Sequence, residues 1–264
     1  MGDFKDYLNV YRFKVELPGS GKVVKFKPIV FNQLKHILSE KDKNRTNEEL
    51  ELIIDDLITE CLEDKNINIM DMYIEDRYFL FLNIRKASKG TKISSTYTCH
   101  NTHKVKAPNG EEIDVECGQF PAVINLDDLN IIKPTSLTGE LELSNTLKIV
   151  VDHNKRQHQH EASVLIDNIK AQDINMTDDE VNMMMIELLF AHAIKAVITP
   201  DGVLDDSLSF DDKVALVNNF TETDYENVTN FFRDNSFGYD TNMVIECPHC
   251  HAKETVEIDP KNFF

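Results

Sequence analysis

The chain has 264 residues, 41% of them hydrophobic, enough to bury a sizeable core as one large domain or two small ones. Its 46 acidic residues outnumber 28 basic ones, and the resulting formal charge of −18 repels phosphate backbones and anionic lipid, which disfavours nucleic acid as a partner. No run of about 18 apolar residues occurs, so no transmembrane helix is expected, and the start MGDFKDYLNVYRF lacks the apolar stretch of a secretion signal.

From the N-terminus, VYRFKVEL (10–17) and KVVKFKPI (22–29) alternate apolar and polar residues around Pro18-Gly19-Ser20-Gly21, a turn sequence, and predict a hairpin. FNQLKHILSE (31–40) predicts a short helix. Thr46 and Glu49 form a capping box that opens a helix through about Glu63. Along it Leu50, Ile53, Ile54, Leu57, Ile58 and Cys61 recur at the spacing of one apolar face, which makes Cys61 a packing residue. A third helix is expected over Glu75 to Ala87, burying Tyr78, Phe79 and Leu82, with Leu80 and Phe81. Strands return in TKISSTYTC (91–99), EEIDVEC (111–117), and GELELSN with TLKIVVD (139–152).

The second half reads as more helical. HNKRQHQH (153–160) holds three histidines and two cations; it reads as a solvated connection, with metal or anion binding as the alternative. Thr177 to Glu180 is another capping box, opening VNMMMIELLFAHAIKAV (181–197), a helix apolar almost all round and expected to be interior. Its methionines, 183 to 185, would alternatively make an adaptable contact surface. His192 falls on its stripe of Met184, Met185, Leu188 and Leu189, as a core histidine with a hydrogen-bond partner. DDKVALVNNF (211–220) and, after a box at Thr223 to Glu226, YENVTNFFRDN (225–235) predict two more helices. NMVIEC and KETVEID close a hairpin, and the terminal Phe263 and Phe264 are expected to dock on the chain itself or a neighbour.

No active site assembles from these pieces. HExxH, GxSxG, Walker and GxGxxG sequences are absent, and the GSGK of PGSGKVVKF lacks the following Ser or Thr of a phosphate loop. The carboxylate pairs Asp178/Asp179, Asp205/Asp206 and Asp211/Asp212 mostly precede helices, where negative charge meets the positive end of the dipole. An enzyme is therefore not expected.

The cysteines point elsewhere. Cys247-Pro248-His249-Cys250 has the C-x-x-C spacing that sets two sulfurs on one metal, and a tetrahedral zinc site needs a second pair. Cys99 and Cys117 are separated by 17 residues, but Ala107-Pro108-Asn109-Gly110 between them fits a type I turn. Folding there places Val105 opposite Ile113 and Asn101 opposite Cys117, bringing Cys99 beside Cys117. The expectation is one structural Zn²⁺ held by Cys99, Cys117, Cys247 and Cys250, joining two hairpins into a split zinc ribbon. Four thiolates leave no open position for substrate. Free thiols, with a redox disulfide between Cys247 and Cys250, are the alternative, and His100, His103, His249 or His251 stands close enough in sequence to replace a thiolate.

Several segments resemble a known family. VKFKPIVFNQLKHIL, EELELIIDDLITECLED, NIMDMYIEDRYFLFLNIRKASKG, STYTC and the late IECPHC together are similar to the baseplate hub proteins of T-even-like contractile-tailed phages. The resemblance covers residues 10–122 and 240–260; the 17-residue cysteine spacing departs from the family's close pairs. It implies a non-catalytic structural or assembly protein, in the virion's tail baseplate after assembly in the host cytoplasm. Its implied partners are other baseplate and hub proteins, and an oligomer within the baseplate is compatible with it.

The fold expected is α+β: an N-terminal hairpin with helices (1–90), a split zinc-ribbon-like pair of hairpins (91–125 and 240–264), and a largely helical region with a short hairpin between them (126–239). A nucleic-acid-binding ribbon, opposed by the charge, and a metal-dependent hydrolase or thiol oxidoreductase are the competing functions.

Overall fold

The computed structural model describes residues 11–41, 45–172, 176–205, 207–240 and 242–257; Phe263, Phe264 and Asp206 lie outside them. Strands β1 (Phe13–Glu16) and β2 (Val23–Phe26) form the expected antiparallel hairpin, Phe13 opposite Phe26. Its turn is held from outside, because the Gly19 and Ser20 N–H groups each donate to the Asp76 carboxylate at 2.8 Å. Gly19 also lies against the Phe237 ring, 2.3 Å from where a Cβ would stand, so a larger residue there must displace the ring.

Helices α1 (Phe31–Lys41), α2 (Asn47–Cys61) and α3 (Ile74–Lys89) follow. The Thr46 box opens α2 as the sequence implies: Glu49 N–H donates to Thr46 Oγ1 at 3.2 Å and Thr46 N–H to Glu49 Oε2 at 2.8 Å. Val24, Phe26, Leu57, Ile58, Cys61, Phe79, Leu80, Phe81 and Ile84 fuse the hairpin, α2 and α3 into one core. Tyr78 is only half-buried. Its hydroxyl reaches Glu51 Oε1 at 3.1 Å, a polar tip kept off the apolar core.

Strands β3 (Lys92–Lys106) and β4 (Glu112–Asn125) make a long ribbon, followed by β5 (Ile131–Ile132). Then come β6 (Thr138–Glu142), β7 (Lys148–Asp152), helices α4 (Arg156–Lys170) and α5 (Asp178–Ala193), and strands β8 (Ile194–Thr199) and β9 (Gly202–Leu204). Helices α6 (Phe210–Val217) and α7 (Glu222–Asp234), strand β10 (Gly238–Tyr239), and the hairpin β11 (Asn242–Glu246) and β12 (Lys253–Glu257) complete the chain. Strand β10 pairs with β5, and β6-β7-β8-β9 form an antiparallel sheet of four strands. Ile149, Val151, Ile194, Val197, Val228 and Phe231 pack that sheet against α7.

The α+β class holds, with three corrections inside the middle segment. Residues 194–197, expected to finish a helix, are instead the start of β8, because Ile149, Val150 and Val151 of β7 offer them an apolar partner strand. Helix α5 is therefore shorter, and it is not interior. Leu188, Ala191 and Ala193 are buried, Met184 and Met185 are half-buried near Ile166, and Met183 is 58% exposed. Helix α7 starts two residues early: Thr221 and Asp224 form its box, and Asp224 also accepts from Ser144 N–H at 2.7 Å. That extra partner, in the β6–β7 turn, favours the first of two boxes of equal local quality.

Candidate metal centre

Two hairpin turns build the centre. In the first, Ala107 N–H donates to Glu111 O and Gly110 N–H to Ala107 O, at 2.8 and 2.9 Å, with Gly110 at φ +88°. Val105 faces Ile113 as expected, but the ladder slips between Cys99 and Thr102, so that Thr102 faces Glu116 and Cys99 faces Gly118. Asn101 is thus not paired with Cys117; it lies in a bulge. The extra residue bends the ribbon there and sets Cys99 next to Cys117, with Gly118 at φ +68° absorbing the distortion. In the second turn, Cys247 N–H donates to Ala252 O at 2.9 Å and His251 N–H to Cys247 O at 3.0 Å.

The two turns meet through their sulfurs. The Sγ atoms of Cys99, Cys117, Cys247 and Cys250 all lie within 4.8 Å of one another, and Cys99 and Cys250 are 3.7 Å apart. A tetrahedral site with Zn–S of about 2.3 Å has S–S edges of about 3.8 Å, so the group has the dimensions of a metal cage. A disulfide needs about 2.05 Å, and all five cysteines are free. Cys99, Cys117 and Cys247 are 7%, 8% and 2% exposed, against Phe120, Tyr97, Ala122 and Ile245.

The local field already favours one thiolate. Burial pushes Cys247 up, but N–H groups of Cys250 and His249, with the Cys250 and Cys99 thiols, outweigh it and bring it down to about 7. Cys117 is pushed up to about 12 by burial and by its thiol neighbours. At Cys99 the Asn101 N–H pulls down, yet burial and contacts with Cys250 and Cys247 carry it up. A thiolate at Cys247 beside protonated Cys99 and Cys117 is a charge state from which a divalent cation displaces the remaining protons. The histidines stand outside the sulfur group: His103 Nδ1 is 3.5 Å from Cys117 Sγ, His103 stacks on His249 at 4.9 Å, and exposed His251 turns to Glu246 at 2.9 Å.

A model of the family described as T4 bacteriophage base plate protein matches residues 9–264. The chain belongs to that family. No curated protein and no solved structure matches it. As a base plate protein it is structural and not catalytic, and no helix among the described residues is long and apolar enough to cross a membrane.

Cys61 stays apart from the cluster of this base plate protein, as its helical spacing predicts. It is 2% exposed, and burial raises its thiol to about 11, which keeps it inert. The 153–160 stretch is not a solvated connection. From Arg156 it is the first turn of α4, and His153, Arg156 and His160 are bound to acidic groups of other elements. Arg156 grips Glu48 with Nη2 at 2.6 Å and Nη1 at 3.3 Å, and Asp55 with Nε at 2.8 Å. Arg77 bonds the other Asp55 oxygen and pairs with Glu51 at 2.7 Å. His160 adds a 2.6 Å contact to Glu48, and fully buried His153 one of 3.1 Å to Glu75. Periodicity does not reveal this face, because charged residues fill the positions that apolar ones hold on an ordinary buried face.

His192 is mostly buried, as expected, with Glu161 3.7 Å away and the His158 ring stacked at 4.9 Å. Burial, then the nearby His192 and Lys195 charges, depress His158 to about 4. The unfolded chain binds that proton near pH 6.5 and the native chain only near 4, so stability falls with pH across this window. Between pH 7 and 4 the His158→Gln variant should lose about 2 kcal/mol less than the parent, after allowing for partial exposure. Urea denaturation of both proteins at the two pH values checks this; parallel losses would refute it.

Proposed function

We propose that the chain is a structural or assembly component of the baseplate hub in a contractile phage tail, stiffened by one Zn²⁺ on Cys99, Cys117, Cys247 and Cys250. The observation that carries the reading is the sulfur group itself, within a chain matched by the base plate family over residues 9–264. It joins two turns far apart in sequence, so a metal there would clasp the end of the chain to its middle. A tetrahedral all-sulfur set suits zinc or iron and leaves no position for water, which supports a scaffold role over hydrolysis. The partners are other baseplate and hub proteins, met in the host cytoplasm during assembly and accompanied in the virion's tail baseplate.

Affinity purification from infected cells tests the placement: other tail proteins should co-purify at fixed ratios, and their absence removes the basis for the hub. Elemental analysis of unchelated protein tests the clasp, expecting one zinc per chain. Iron would replace the metal's identity, and no metal would end the reading. The charge of −18 stands against a nucleic-acid-binding ribbon, which a steeply salt-dependent DNA or RNA affinity would restore.

A further inference from the structure

Four thiolates around a divalent cation hold an excess of negative charge, which hydrogen-bond donors outside the ligand set must spread. For two sulfurs the turns supply them: Cys247 receives the N–H groups of Cys250 and His249, and Cys99 that of Asn101 in the bulge. Cys117 differs. It lies on β4 opposite the bulge and not at the head of a tight turn. On the same face, His103 pairs with Val115, two residues before Cys117, and its Nδ1 comes within 3.5 Å of Cys117 Sγ. The His103 ring is itself pinned, nearly parallel to His249 at 22° and 4.9 Å, and His249 belongs to the turn that carries Cys247 and Cys250.

We propose that His103 is the positioning residue of the sulfur cluster: its Nδ1–H donates to Cys117 Sγ and supplies that sulfur with a donor from a side chain instead of a turn. The proposal rests on the cluster's being a zinc site. The stack on His249 sets the ring's height over the cluster, so donation and docking of the second hairpin go together. Loss of the donor weakens the metal; loss of the ring alone loosens the hairpin.

Two variants separate these roles. His103→Phe keeps a flat ring for His249 and removes the donor, whereas His103→Gln keeps a donor and removes the ring. Chelator competition on the full chain should show zinc bound roughly 10- to 100-fold more weakly in His103→Phe, with His103→Gln close to the parent. In cobalt-loaded protein the sulfur-to-cobalt absorption bands should shift in His103→Phe and not in His103→Gln. Parental affinity in His103→Phe, or equal weakening in both variants, would overturn donation by His103 while leaving the zinc reading intact. A parent that takes up no zinc overturns both.

Discussion

Cys247→Ser is expected to abolish stoichiometric zinc and to release the β11–β12 hairpin while the rest of the protein stays folded. Cys247 is the most buried of the four cysteines, and the N–H groups of its turn lower its proton affinity, so it would anchor the first metal bond. Structural zinc contributes on the order of 10 kcal/mol of apparent folding free energy. That energy is concentrated where the hairpin meets the ribbon, since the cores around Ile58 and Ile149 contain none of the four cysteines. Hydrogen exchange should therefore accelerate by several orders of magnitude over residues 242–257 and remain slow in α2, α3 and β7. Chelation of the parent should reproduce this pattern, and Cys61→Ser should keep its metal. Unchanged protection of residues 242–257 in Cys247→Ser would show that side-chain packing, and not a cation, holds the hairpin.

The second large effect belongs to Asp55, which touches both buried guanidiniums. Glu48, Glu51 and Asp55 on α2 meet Arg77 from α3 and Arg156 from α4, all of them 6% exposed or less. Burial carries the Asp55 carboxyl above the ordinary aspartate value, against the pull of Arg77 and Arg156. For Arg156, burial works against the charge, but Glu48 and Asp55 outweigh it and raise its proton affinity. Asp55→Ala removes the shared acceptor and leaves two guanidiniums short of a partner in a dry interior. The expected loss is about 3–5 kcal/mol, read from urea denaturation. Replacing Glu48, Glu51, Asp55, Arg77 and Arg156 together by apolar residues of similar volume should cost much less, because the desolvation penalty disappears with the attraction. A loss below about 1 kcal/mol for Asp55→Ala would mean that water reaches the cluster.

The contrast between these two sites explains what was legible in the sequence. Hairpin turns and most helix starts rest on local chemistry: Pro18-Gly19-Ser20-Gly21, Ala107-Pro108-Asn109-Gly110 and the boxes at Thr46 and Thr177 each act within a few residues. The adjacency of Cys99 and Cys117 follows from one such turn, so the cysteine grouping could be inferred. The bulge at His100 and Asn101 could not, since it depends on how the ribbon bends to meet the second hairpin. Helix α4 was hidden for a different reason. Its Arg156 and His160 find their carboxylate partners on α2, about a hundred positions earlier, and no window along the chain contains both sides. The same holds for Ile194 to Val197, whose strand character is conferred by β7.

Beyond the cysteines the ribbon continues outward to its turn at Pro108, with nearly every residue from 101 to 116 exposed. On one face Val105, Ile113 and Val115 remain 39–47% accessible, while Lys104 and Lys106 face Asp114 and Glu112 on the other. Because the outer pairs of this ladder lie past the sulfur group, residues can be added or removed there in matched pairs without disturbing it. The span of this finger is thus set independently of its root. Each lengthening step that keeps the apolar side facing the same way takes two residues on each strand, since a single added pair turns everything beyond it to the opposite face.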